Sequence, residues 1–326
     1  MSETEQQRAS DQVCETWQQF VRGLLGVLLL AGTIAVMRYY APSPGADLRH
    51  QVQELTQQVQ LLRQQQAMPT MVLNRYRNSI CYIYGVYEVS FPDGRVGLRA
   101  RLSGTGFVVA KGLLATNRHV AEPWYGDPDA EVLIRRGARA ELEKLVAFFP
   151  GLPTPLVITP SVLSAKGDLA VLSMQDSPAI QQLTPLPLAE APSRPGELVA
   201  VIGYPMGVAG MVAKSPTPVY ERLAYRHDDI GAANELAALS LIRPSATCGH
   251  LGDVVGDKLI YDAPTAHGGS GGPVFNAKGE VIGVNSAYLD GFSGGTLGIS
   301  ADALRPLVEA AQKGQGSVSS SPSQNQ

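Results

Sequence analysis

Three residues of this 326-residue chain have the types and settings that hydrolysis at a carbonyl demands. His119 stands in ATNRHVAEPW directly after an apolar, strand-like run, Asp168 stands in KGDLAVL at the head of another, and Ser270 sits between two glycine pairs in AHGGSGGPVF. A hydroxyl that attacks a peptide carbonyl needs a base to take its proton, a carboxylate to orient that base, and donors facing the developing oxyanion. Taken singly, each residue has a plainer reading: a serine among glycines is ordinarily a turn residue, a histidine beside a strand is ordinarily structural, and an aspartate after glycine is ordinarily a turn or cap. Together in one chain they make a nucleophile, a base and an orienting acid.

The chain order His, Asp, Ser, with successive members 49 and then 102 positions apart, differs from the orders used by subtilisin-like and α/β-hydrolase enzymes. With GTGFVV before the histidine segment, GDLAVL around the aspartate and GEVIGVNSA after the serine, residues 78 to 312 resemble the trypsin-like serine endopeptidases of the chymotrypsin fold, most closely the Deg/HtrA branch. The resemblance implies a mainly β protein of two six-stranded barrels, with His119 and Asp168 from the first and Ser270 from the second. It also implies an oxyanion hole made by the N–H groups of Gly268 and Ser270, protein or peptide substrates, and a trimer assembled through the protease domains. Gly269, Gly271 and Gly272 would let the loop curl tightly around the nucleophile. For the substrate pocket, the acidic residue that selects Lys or Arg would stand six positions before the nucleophile, where this chain has Pro264, and the nearest acid is Asp262. A basic side chain would be desolvated there without a partner, so small or medium apolar side chains are expected. Pro264, Thr265 and His267 are the expected pocket residues, with Asn285, Ser286 and Ala287 as a wall; His267, three residues before the nucleophile, either lines the cleft or points to solvent.

Two features depart from the branch. Its members commonly continue into a peptide-binding PDZ domain, whereas this chain stops soon after its last helical stretch. About 50 residues also separate Tyr204-Pro205 from GDKLIYDAP, more than the family pattern requires. Part of that segment, Asp228 to Ile242, reads as a short helix, and the segment from 206 to 250 is expected to cover or gate the cleft, since long loops in compact domains are often lids.

The elements that must hold these residues are short strands. Between residues 70 and 300, apolar or alternating runs such as SICYIYGVYEVSF, GELVAVIGYP and GGTLGIS recur between turn signals, the spacing of barrels or a sandwich. PLPLAEAPSRPG, at about 186 to 196, reads as a linker between barrels at about 78–190 and 197–300. A final amphipathic helix, roughly Asp302 to Lys313, precedes a Ser/Gln-rich tail at 313–326 that reads as disordered.

Upstream, a polar tail at 1–19 leads into an apolar stretch at 20–41 long enough to span a bilayer, with Arg22 and Arg38 placed to snorkel. The tail carries Glu3, Glu5, Asp11 and Glu15, so it lacks the positive n-region of a cleaved signal peptide, and an uncleaved transmembrane anchor is expected. Arg8 and Arg22 balance Arg38 and Arg49, so charge bias does not set the orientation. Within 46–67, Leu48, Val52, Leu55, Val59 and Leu62 recur at spacings of 4, 3, 4 and 3, a short heptad seam that leans towards a parallel dimer or serves as a helical spacer. The Ala67 to Pro69 break is expected to end that helix. Between the seam's dimer and the resemblance's trimer, the trimer is favoured.

Composition narrows the functions. With 26 basic and 29 acidic residues the net charge is −3, far from the basic footprint that phosphate backbones select, so nucleic-acid binding is not expected. Hydrophobic residues at 44% and charged ones at 17%, with 34 Gly and 23 Pro, suit a turn-rich β enzyme. Cys14, Cys81 and Cys248 allow at most one bridge in the body, Cys81 to Cys248, against the alternative of two small buried residues. No cofactor or metal is expected: Cys248, His250, His227 and Asp228 have ligand types but no ligand spacing. The expectation is a membrane-anchored serine endopeptidase at the bacterial inner membrane with a periplasmic protease domain. A protease-fold binding module with little catalysis, or an assembly scaffold, is the alternative.

Overall fold

The computed structural model describes residues 3–40, 44–288 and 295–319. The chain divides into two compact units, Met1–Arg63 and Gln64–Gln326.

Helix α1 (Glu3–Tyr40) contains the apolar stretch Trp17–Tyr39, 23 residues with a mean hydropathy of 2.1. At about 1.5 Å per residue this is long enough to cross about 30 Å of hydrocarbon. Helix α2 (Pro44–Tyr76) carries the heptad residues Leu48, Val52, Leu55, Val59 and Leu62, all exposed.

The sequence places a helix end at Ala67 to Pro69, but α2 continues through Pro69 to Tyr76. Proline removes one intrahelical hydrogen bond and disfavours the turn before it. The compensation lies in Met68, Val72 and Tyr76, four residues apart on one face and all buried in the main core, with Tyr76 stacked on Phe275 at 5.6 Å.

The first barrel closes in the order β1 (Ile80–Ser90), β2 (Val96–Ala110), β3 (Leu113–Thr116), β6 (Ala170–Met174), β5 (Leu156–Leu163), β4 (Arg139–Phe148). The connection from β3 to β4 carries the one-turn helix α3 (Arg118–Ala121) and α4 (Pro128–Arg135), the latter capped by Asp127. Along β2 the burial pattern switches. Its first half alternates between exposed and half-buried in a hairpin, and its last seven residues are all buried. Gly112, at φ +74°, makes the left-handed turn that sends the chain from β2 back into β3.

The second barrel closes in the order β10 (Pro273–Phe275), β11 (Val281–Tyr288), β12 (Thr296–Ser300), β9 (Lys258–Tyr261), β8 (Ser245–Val255), β7 (Leu198–Gly203). Both barrels pair antiparallel throughout. The mainly β, two-barrel chymotrypsin-type fold expected from the sequence is therefore observed. Helix α8 (Ala301–Ser319) buries Ala301, Leu304, Val308 and Ala311 at helical spacing. It runs beyond the Lys313 expected from the sequence, and residues 320–326 of the expected tail lie outside the described ones.

Between β7 and β8 the segment expected as a long gating loop forms α5 (Gly207–Ala213), α6 (Thr217–Leu223) and α7 (Asp229–Ala238). Val208, Met211, Val212, Leu223, Ala232, Ala233 and Leu236 are buried in the main core, so this is a packed helical layer. Arg101 of β2 ties it to the first barrel through Asp229 at 3.1 Å. Cys81 and Cys248 are free thiols, the first buried and the second exposed, so no bridge links them and only one of them is a core residue.

Candidate active site

The base sits where β3 ends. Asn117 begins the turn into α3, its carbonyl accepting from the N–H groups of Val120 and Ala121 and its side-chain amide donating to the Asp168 carbonyl at 2.8 Å. His119 is thereby held against Asp168, which lies two residues before β6. The backbone N–H of His119 donates to Asp168 Oδ1 at 2.9 Å, and the ring Nδ1 is 2.8 Å from Oδ2. An ionised carboxylate only accepts, so Nδ1 carries the proton and Nε2 is left as the basic nitrogen. Ser286 of β11 adds a third donor, its hydroxyl reaching Asp168 Oδ2 at 2.7 Å across the two barrels. Burial pushes the Asp168 carboxyl up, but the His119 ring, the His119 charge, its backbone N–H and the Ser286 hydroxyl outweigh burial and hold it below its usual value.

The nucleophile loop precedes β10. Gly269 N–H donates to the Ala266 carbonyl and Gly272 N–H to the Gly269 carbonyl, a tight curl pinned to β11 by Gly271 N–H on the Asn285 carbonyl at 2.7 Å. Gly268 has φ +87° and packs so closely that an added Cβ would lie 2.5 Å from the Tyr204 carbonyl oxygen. Only glycine satisfies both constraints. Among the described residues, neither the Gly268 N–H nor the Ser270 N–H has a protein acceptor. Two free donors flanking a serine hydroxyl are what an oxyanion would need. The Ser270 hydroxyl itself donates to the Ser286 carbonyl at 3.0 Å.

His119, Gly268 and Ser270 line one cavity of about 490 Å³, whose walls include His267, Met206 and Arg101. A second cavity of about 860 Å³ holds Asp168 and Ser286 with apolar walls from Leu169, Leu297, Ile299 and Pro306.

The expected pocket residues separate. His267 is exposed and lines the cavity beside Ser270. Pro264 is exposed and accepts at its carbonyl from the Thr247 hydroxyl, while Thr265 is half-buried. Asn285 was expected as a wall, but its side chain is buried beneath the nucleophile loop. It accepts from the Tyr261 hydroxyl and donates to Thr265 Oγ1 and the Gly269 carbonyl. Ser286 donates to Asp168, accepts at its carbonyl from the Ser270 hydroxyl, and lines the second cavity. The Ala287 side chain lies outside the described ones. Asn117 and Met206 were not singled out from the sequence. An asparagine two residues before the histidine is a capping signal that points to the first. Met206, at φ 61°, has no comparable sequence signal.

The family described as "Trypsin-like peptidase domain" matches residues 104–284, more than half of the chain. A "Probable periplasmic serine endoprotease DegP-like" of Rhizobium meliloti (strain 1021) is 29% identical over 211 residues, covering 64% of this chain and 32% of that protein. "Serine protease HTRA2, mitochondrial" of Bos taurus is 29% identical over 213 residues, covering 65% of this chain and 36% of its own length. The chain thus spans about a third of the curated relatives it matches. Among solved structures, a serine endoprotease from Yersinia pestis aligns at 17% identity with a TM-score of 0.48, covering 75% of this chain and 66% of that one.

Proposed function

Because this chain belongs to the trypsin-like peptidase family, we propose that it is a serine endopeptidase in which Ser270 attacks, His119 is general base and then general acid, and Asp168 orients the imidazole. The observation that carries the reading is the His119 Nδ1 to Asp168 Oδ2 pair at 2.8 Å, in a site whose cavity also exposes Ser270.

The chemistry follows from the atoms. The Ser270 hydroxyl leaves the Ser286 carbonyl by rotation about χ1 and gives its proton to His119 Nε2 as its oxygen bonds to the scissile carbonyl carbon. The Gly268 and Ser270 N–H groups, which have no acceptor among the described residues, take the negative charge that develops on the carbonyl oxygen. His119 then protonates the departing amine, leaving an acyl-enzyme that a water hydrolyses by the same steps. Asp168, held ionised by its donors, stabilises the imidazolium formed in each step.

We place the enzyme at a membrane, tethered through residues 20–41, with its protease domain in the periplasm of a bacterium. Support comes from the apolar stretch Trp17–Tyr39 and from relatives named periplasmic endoproteases. The substrates are protein chains, cleaved in quality control or regulated proteolysis, after small or medium apolar side chains. The reading includes a homo-oligomer, a trimer by resemblance to the Deg/HtrA branch, to which the exposed heptad residues of 46–67 contribute.

Profiling cleavage of a peptide library by the purified full chain tests the substrate class. Cleavage after Val, Ala or similar residues is expected, and dominant cutting after Lys or Arg would overturn it. Labelling by a fluorophosphonate tests the reaction class.

A further inference from the structure

We propose that Thr105 is a positioning residue for the nucleophile loop: from the first barrel, its hydroxyl and backbone N–H hold the carbonyls of Gly268 and Ser270, the two residues of the second barrel whose own N–H groups are the oxyanion donors. The proposal rests on the serine-peptidase reading and deepens it.

Thr105 lies in β2 and is wholly buried. Its hydroxyl donates to the Gly268 carbonyl at 2.6 Å and accepts from the Tyr204 N–H at 3.0 Å. Its backbone N–H donates to the Ser270 carbonyl at 2.8 Å. The carbonyls on either side of Gly269 therefore both end on one residue. Its own carbonyl accepts from the Thr116 hydroxyl at 2.7 Å, and Thr116 stands three residues before His119. The segment that carries the base and the loop that carries the nucleophile thus meet at Thr105.

The loop needs such an anchor. Gly268 and Gly269 have no side chain to limit rotation, and Gly268 sits at φ +87°, so the sequence of the loop does little to select one orientation of its peptides. A hydroxyl suits the task because it donates and accepts at once. The neighbouring glycines make room for it: a Cβ on Gly203 would lie 2.9 Å from Thr105 Oγ1, and one on Gly271 would run into the carbonyl of Thr105 and the hydroxyl of Thr116. Releasing the Gly268 carbonyl lets the Gly268 residue turn, which re-aims its own N–H, an oxyanion donor, without touching the substrate side chains, so the effect belongs on kcat and leaves KM nearly unchanged.

The test uses full-length protein in detergent, a fluorogenic peptide with Val before the scissile bond, and a fluorophosphonate probe. Thr105→Val keeps the shape and removes both hydroxyl bonds; kcat is expected to fall about 10- to 100-fold with KM within about twofold, and probe labelling to slow in parallel. Thr105→Ser, which keeps the hydroxyl, should stay within about threefold of the unmodified protein. A folded Thr105→Val with full kcat, a loss confined to KM, or a Thr105→Ser as impaired as the valine variant would each overturn the proposal. Should the valine variant not fold, Thr105→Cys carries the test: its weak thiol donor predicts a reduced kcat, and an unchanged kcat refutes the role. Absence of probe at Ser270 in the unmodified protein sinks the peptidase reading and this proposal with it. Labelling at Ser270 with an indifferent Thr105→Val sinks this proposal alone.

Discussion

Asp168 receives three donors on two oxygens, from the His119 ring, the His119 N–H and the Ser286 hydroxyl. Replacing it by Asn preserves the shape but offers an amide N–H to the imidazole, favouring the wrong tautomer. A fall in kcat of about 10⁴ with little loss of folding is expected in steady-state assays. Because its folded pKa lies below the unfolded value, Asp168 contributes stability above the usual carboxylate pKa, and that contribution is lost as pH falls through the folded pKa. Ser286→Ala removes one of the lowering donors, so its acid-denaturation midpoint should move to higher pH; an unmoved midpoint would show that the hydroxyl does not hold the carboxylate. The residue types of the site and their chain order were legible in the sequence. The roles of Asn285 and Ser286 were not, since a bulge in β11 between Asn285 and Ala287 decides which side chain turns under the loop and which faces Asp168. Alternation read from sequence does not register one extra residue.

At the scale of elements, the strands were readable from their short runs and turn glycines, as were the helices near 228–242 and 302–313, and the reading failed where packing overrode a local stop signal. Pro69 reads as a stop, yet the buried face of Met68, Val72 and Tyr76 carries α2 across it. Met68→Ala should therefore destabilise the protein by about 2–5 kcal/mol, measured by denaturant midpoint, although the residue lies outside the barrels. The 206–250 segment is longer than the family pattern requires, so a gate was expected with one short helix in it; that helix is α7, while the apolar residues of α5 and α6 are too few per helix for the sequence to announce a packed layer. Leu236, wholly buried, makes the same point testable. Leu236→Ala should cost about 2–5 kcal/mol, whereas a true surface lid would lose almost nothing.

For the whole molecule, the first barrel supplies the His119–Asp168 pair and the second the Ser270 loop and Ser286, so the cavity that both line and the Ser286 to Asp168 bond need the two barrels folded and docked. The heptad residues contribute to assembly in the proposed oligomer. Light scattering should find an oligomer for a protein beginning at residue 44 and a smaller or weaker one for a protein beginning at residue 64, which retains Met68 in the core; monomers in both cases would refute the assembly reading. The central claim is that Ser270 is a nucleophile activated by His119. It is tested most directly by reacting the purified full-length protein with a fluorophosphonate and mapping the modified residue by mass spectrometry. The account predicts a single adduct on Ser270 that disappears in His119→Ala; no adduct, or one on another serine that survives in Ser270→Ala, would contradict it.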